Sequence, residues 1–223
     1  MSPVRTLATD AVVMGRIRPM QHRDAPAVAR QHRAAMGNSL WARLGVPFLE
    51  TLYRALVDSP HFLGFVYQED GVVRGFIAGS TDTARMYRET LRAHYPPIAV
   101  AVLRGLLGDP TVLPLLVRTS TYFDESGDDI PAESLFCSFE PDLRGKGASG
   151  QINKVLFDEL LARRQRKVKI TTEVDNEGAN RQLRSWGFEV DRQFDFYGKT
   201  MLRYVLDLEA SPRVEPVSRH PAV

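Results

Sequence analysis

A chain of 223 residues, 43% of them hydrophobic, can bury one good core with an elaboration, and no apolar run approaches the length that spans a bilayer. Its 29 Lys plus Arg against 27 Asp plus Glu make no global case for nucleic acid. One cysteine excludes an intrachain disulfide and a multi-cysteine zinc site, the five histidines lack ligand spacing, and the N-terminus has no apolar signal core. The expectation is a cytoplasmic protein with no metal, no membrane and no nucleic acid among its partners.

In chain order, residues 1–13 read as a flexible leader and 14–208 as a single domain. Residues 14–20 read as a first strand. A helix opening at Arg23 or Asp24 carries Ala27, Val28, Ala34 and Met36, and Gly37-Asn38 marks its end. A second helix is expected over 47–57. Pro47 suits a first helical position, Phe48, Leu49, Leu52 and Leu56 form the apolar face, and Asp58-Ser59-Pro60 stops it. Residues 62–67 and 72–79 read as strands joined at Glu69-Asp70-Gly71, because Asp-Gly is a strong hairpin signal.

Residues 81–131 read as a helical insertion. Helices are expected over 85–94 and 98–107, parted by Pro96-Pro97, with a third short one over 111–117 and an acidic loop over 124–129. Three roles fit this stretch: a lid over the acceptor end of a cleft, a cap that thickens the core, or a homodimer face.

The chain is organised around the stretch that follows. Leu135, Phe136, Cys137 and Phe139 form an apolar run between Pro131 and Pro141, which suits a central strand. Ile152, Val155, Leu156 and Leu160 recur at helical spacing, so a helix begins near Ser149 or Gly150. Between them lies Arg144-Gly145-Lys146-Gly147-Ala148-Ser149-Gly150. Glycines let successive backbone N–H groups point into one concavity, the helix start adds unpaired N–H groups and the positive dipole end, and Arg144 and Lys146 add charge. Together these make a pyrophosphate cradle. The spacing is neither that of the phosphate loop of nucleotide hydrolases nor that of the Rossmann turn.

Downstream, 168–174 reads as a strand that leads into Asp175-Asn176-Glu177-Gly178-Ala179 and a short helix ending at Gly187-Phe188. Residues 188–196 and 199–208 read as two closing strands, and the Pro-, Ser- and Arg-containing stretch 209–223 as a disordered tail. Arg163 to Lys169 is a basic run that suits a helix end and solvent. Trp41 and Trp186 read as core or cleft packing.

The glycine turn resembles the acetyl-CoA signature of the GCN5-related N-acetyltransferases (GNAT), Arg/Gln-x-x-Gly-x-Gly/Ala after a hydrophobic strand. Arg144, Gly147 and Ser149 stand at the three key places, Ser149 departing from the usual glycine or alanine. The Asn176-x-x-Ala179…Gly187-Phe188 element is similar to that family's second signature, in the correct order. The resemblance implies an α/β (α+β) GNAT fold with a mixed, mostly antiparallel central sheet flanked by helices. It implies acetyl-CoA or another acyl-CoA as co-substrate, and transfer of the acetyl group to a primary amine of a small metabolite, such as an amino sugar or a natural-product intermediate. A protein N-acetyltransferase and a non-catalytic acyl-CoA-binding or regulatory module are the alternatives.

The resemblance also assigns roles. Cys137, Ser138 and Phe139 would contact the pantetheine arm, Arg144, Gly145, Lys146, Gly147, Ala148, Ser149 and Gly150 the phosphates, and Asn176 the arm. Glu133 occupies the place of the catalytic glutamate of the histone acetyltransferases, which makes it the candidate base, ahead of Glu140 and Glu173. Many relatives carry a tyrosine where this chain has Leu183, so Tyr197 or Tyr204 is the candidate acid. Cys137 has no His, Asn or Asp grouped near it in sequence and reads as a buried apolar cysteine rather than a nucleophile.

Overall fold

The computed structural model describes residues 6–37, 39–116, 129–143, 145–196 and 198–215. Seven strands among them form one sheet: β1 (Ile17–Pro19), β2 (Phe62–Glu69), β3 (Val72–Ser80), β4 (Glu133–Phe139), β5 (Lys167–Glu173), β6 (Glu189–Phe196) and β7 (Lys199–Asp207). Their order is β1-β2-β3-β4-β5-β7-β6. Every neighbouring pair is antiparallel except β4 with β5, so the sheet is mixed and mostly antiparallel, as expected. The β2–β3 hairpin turns at Asp70-Gly71, both with positive φ, which is the geometry an Asp-Gly turn supplies.

Helices cover both faces. On one lie α2 (Ala25–Ala35), α4 (Val46–Val57), α5 (Thr83–Ala93) and α6 (Tyr95–Gly108), whose Val28, Phe48, Leu52, Tyr53 and Met86 pack on Val66, Phe76 and Ala78 of the sheet. On the other lie α7 (Ala148–Ala162) and α8 (Glu177–Trp186), whose Ile152, Leu156, Phe157 and Trp186 pack on Ile77, Tyr204 and Leu206. Two short helices, α1 (Ala11–Met14) and α3 (Leu40–Arg43), are also described, α3 being a turn that the sequence reading did not anticipate. The short helix expected over 111–117 appears as a 3-10 turn, Pro110–Val112, running into helical residues 113–116. No single helix among the described residues is long and apolar enough to cross a membrane.

Pro96 and Pro97 part α5 from α6 by standing in the first turn of α6, where no backbone N–H is needed. α5 and α6 pack on α4, and α6 crosses so close to the α3–α4 turn that a Cβ on Gly105 would stand 2.6 Å from the Leu44 carbonyl. The described part of 81–131 therefore thickens this helical layer. Most of the expected acidic loop lies outside the described residues.

Two boundaries differ from expectation. Part of the expected leader is structured: Asp10 caps α1 through Val12 and Val13 N–H, Val13 is buried, and the Ala8 carbonyl accepts from Gln151 Nε2 at 2.8 Å. The expected tail also starts too early. Val214 is buried, and 213–215 lies along α7. Between these two segments and the sheet, α7 is enclosed nearly all round, which buries even Lys154 and Asp158. The two pair at 3.0 Å, the Lys154 ammonium also donates to the Arg213 carbonyl, and Asp158 accepts from Glu215 N–H. Buried charges persist only when paired and hydrogen-bonded in this way.

Candidate active site

β4 and β5 share one rung and then separate. Glu133 pairs with Lys169, the Lys169 N–H donates to the Ala132 carbonyl at 3.0 Å, and no later residue of β4 pairs with β5. The cause is visible on the other edge of β4. Gly79 pairs with Ser134 but Ala78 with Phe136, so Leu135 is an extra residue, a bulge that bends the strand. Leu135 and Phe136 pack toward the α2 layer while Cys137 and Phe139 pack toward α7. Phe139 lies across Gly75, where an added Cβ would come within 2.2 Å of the ring.

The gap opens into a cleft of about 970 Å³. Its floor is β4 from Ser134 to Phe139 and β5 from Ile170 to Thr172. One wall is Gly145, Gly147, Ser149 and Asn153 at the start of α7, and the opposite wall is Gly178, Ala179, Arg181, Gln182, Leu183 and Trp186 of α8. Ala34, Ala35 and Met36 at the end of α2 border it from the other face of the sheet, so the cleft reaches through the sheet where the strands part. Arg181 is the one charged side chain among the described lining residues.

Gly145 and Gly147 take φ of 78° and 79°, and nothing lies within 4 Å of where a Cβ would stand on either. This is left-handed backbone that only glycine adopts without cost, and it leaves the main chain open to the cleft. Gly147 caps α7, whose first-turn N–H groups have no partner within the helix. Ser149 sits there with its hydroxyl accepting from Gln182 Nε2 at 2.8 Å and its carbonyl from Asn153 Nδ2 at 2.8 Å.

The structure thus brings Cys137, Ser138, Phe139, Gly145, Gly147 and Ser149 to one cleft, with Lys146, Ala148 and Gly150 beside them in the chain but outside the lining. Arg144 and Tyr197 lie outside the described residues. Asn176 is spent on the backbone: its side-chain oxygen caps α8 by accepting from Ala179 N–H at 3.1 Å, and it does not line the cleft. Glu133 stands at the closed root of the gap, half-buried, close enough to the buried Tyr87 that its charge adds to the burial that raises the phenol pKa. Glu140 is tied to Arg74 at 2.8 Å and Glu173 to Lys199, both as surface ion pairs. Tyr204 is fully buried with no hydroxyl partner among the described residues, and Leu183 lines the cleft.

Cys137 is half-buried on the cleft floor, and loss of solvation pushes its thiol up to about 12, opposed only by Asn153 and Ser149. Such a thiol is a packing group, since the thiolate is the nucleophile. Sequence reasoning missed Asn153, Arg181, Gln182 and the end of α2. The spacing 179, 182, 183, 186 on one face of α8 was the available signal. No group of three or more His, Cys, Asp or Glu that could hold a metal ion exists among the described residues.

No protein-family model matches the chain, and no curated protein matches it. Solved structures do. An N-acetyltransferase from Staphylococcus aureus Mu50 is 17% identical, with a TM-score of 0.55 over 86% of this chain and 97% of that one. A ribosomal-protein-alanine N-acetyltransferase from Brucella melitensis is 16% identical, with a TM-score of 0.56 over 86% and 98%. The yncA protein of Salmonella typhimurium, solved with its cofactor acetyl-CoA, is 16% identical, with a TM-score of 0.55 over 91% and 98%. At such identities the likeness is one of architecture, and by architecture this chain has the fold of the GCN5-related N-acetyltransferases.

Proposed function

We propose that the protein is an N-acyltransferase that moves an acyl group, acetyl in the first instance, from acyl-CoA to the primary amine of a small molecule, with amino sugars and natural-product intermediates as the first acceptors to try. The observation that carries this reading is the parting of β4 from β5 with an open glycine turn and a helix start at the mouth of the gap. The residues fit the donor. A Cβ on Gly145 or Gly147 would occupy the space a diphosphate needs, and the amides of Ala148, Ser149 and Gly150 with the charges of Lys146 and Arg181 suit its oxygens. Arg144 joins them by resemblance.

Acyl-CoA would supply the activated acyl carbon. This chain's part is to hold and to move a proton. The unpaired edges of β4 and β5 offer peptide N–H and C=O groups to an extended arm, and fixing the two reactants together can supply most of the acceleration. An alkyl ammonium is almost wholly protonated at neutral pH, so it needs a base. Glu133 at the root of the gap is the assigned one, and Cys137 is not an acyl carrier. Tyr197 remains the assigned acid.

The test is a thermal-shift titration with acetyl-CoA, longer acyl-CoAs and free CoA, followed by thiol release against an amine panel. A shift with CoA-containing ligands and release with at least one amine is expected. Glu133→Gln should keep the shift and lower turnover about 100-fold. No shift with any of them sinks the reading.

One observation favours a second acceptor class. No described residue of 81–131 lines the cleft, because α5 and α6 pack on α4 instead. A groove that none of the described residues of this stretch covers suits a peptide amine, so short peptides belong in the panel.

A further inference from the structure

We propose that Gln182 is a positioning residue for the phosphate cradle: it fixes the Ser149 hydroxyl so that Ser149 offers two donors, its N–H and its O–H, to a phosphate oxygen of the donor. The inference rests on the acyl-CoA reading above and deepens it.

Ser149 stands in the first turn of α7, so its N–H has no helical acceptor. Each of its two oxygens accepts one hydrogen bond. Gln182 Nε2 donates to Oγ at 2.8 Å and Asn153 Nδ2 donates to the carbonyl at 2.8 Å. A hydroxyl carries one proton and two lone pairs. An amide that can only donate through its nitrogen occupies one lone pair and leaves the proton free to turn about the Cβ–Oγ bond. Among the described residues the Cys137 thiol, a weak acceptor, lies within its reach. A phosphate oxygen is a far stronger one, because its hydrogen bonds are charge-assisted.

Gln182 reaches Ser149 across the cleft from α8, and both line it. A glycine or alanine at 149 would give the N–H alone. The side chain that departs from the signature is thus matched by a partner 33 residues downstream, and the pair converts the departure into an extra oriented donor.

The experiment is calorimetric titration of the full chain with CoA, paired with thermal shift by millimolar pantetheine, which has the arm without the phosphates. Ser149→Ala and Gln182→Leu should each weaken CoA binding about tenfold. The double variant should bind CoA as Ser149→Ala does, and the response to pantetheine should not change. Gln182→Glu, nearly the same size, places a carboxylate that takes the Ser149 proton for itself and repels phosphate, so it should weaken CoA binding more than Gln182→Leu. The unliganded melting temperature separates a folding defect from a binding one. Additive losses in the double variant, equal losses for pantetheine, or no loss in either Gln182 variant would overturn the assignment of Gln182 while leaving the acyl-CoA reading standing. Wild-type protein that binds neither CoA nor pantetheine would overturn both.

Discussion

Acid probes the α2 layer through a single imidazole. His32 is 1% exposed, its Nδ1 lies 2.8 Å from the Tyr53 hydroxyl, and its ring packs 4.5 Å from Phe136, the strand residue just past the bulge. Its Nε2 is buried with no partner among the described residues. Burial pulls the pKa from 6.5 to about 4, so the folded protein holds a neutral ring at pH 7. Between those two values the unfolded chain binds more protons than the folded one, so stability falls as the pH drops across that window. The contribution is fully present above pH 6.5 and is lost as the pH falls to about 4, a loss of about 3 kcal/mol. The nearby titratable groups, Tyr53 from α4 and Tyr87 from α5, have raised pKa values and stay neutral throughout. Urea unfolding at pH 7 and pH 4 measures the effect. The comparison is wild type against a His32→Phe/Tyr53→Phe double variant, which keeps two rings and leaves no orphan hydroxyl. Wild type should lose about 3 kcal/mol more than the double variant over that interval. A difference under about 1 kcal/mol would mean that the ring is solvated or paired in the fold, and the reasoning would fail.

Three further outcomes are expected. Gly147→Val forces a β-branched residue to a φ of 79° in open space, so the cost is backbone strain of about 1–2 kcal/mol, a few degrees in melting temperature, with the CoA-induced shift abolished rather than reduced. With a thiol pKa near 12, Cys137 is about 1 part in 10,000 thiolate at pH 8; iodoacetamide should label the native chain only slowly, and Cys137→Ala should retain turnover. Lys154→Ala strands Asp158 in a buried site and should cost about 3–5 kcal/mol by urea unfolding, whereas Lys154→Met with Asp158→Leu should recover most of it.

The sheet was largely legible in the sequence because its signals are local. Pro131 and Pro141 bracket β4, and Asp70-Gly71 closes the β2–β3 hairpin. The glycine turn was legible for the same reason, since positive φ at Gly145 and Gly147 needs no distant partner. What escaped was set at long range. Residues 209–215 read as tail by composition, yet Val214 is buried because α7 lies beneath it. Asp10 caps a helix of four residues that no periodicity could reveal. The cleft walls on α8 and α2 follow from a register that depends on which single residues of β4 and β5 meet, and pairing partners are not written in either strand alone.

That register divides the sheet mechanically. Strands β1 to β4 form one antiparallel half and β5, β7 and β6 another, and the two are stitched at Glu133 and Lys169. α7 is laid on β2, β3 and β4 and continues by way of residues 163–166 into β5, so it is the splint across the seam. The proposed acyl-CoA arm, seated in the gap, would act as an eighth strand, and its binding free energy would become cohesion between the halves. Amide exchange should show this as slowing along both strand edges at once, with the outer hairpin of β6 and β7 tightening in step although it touches no ligand.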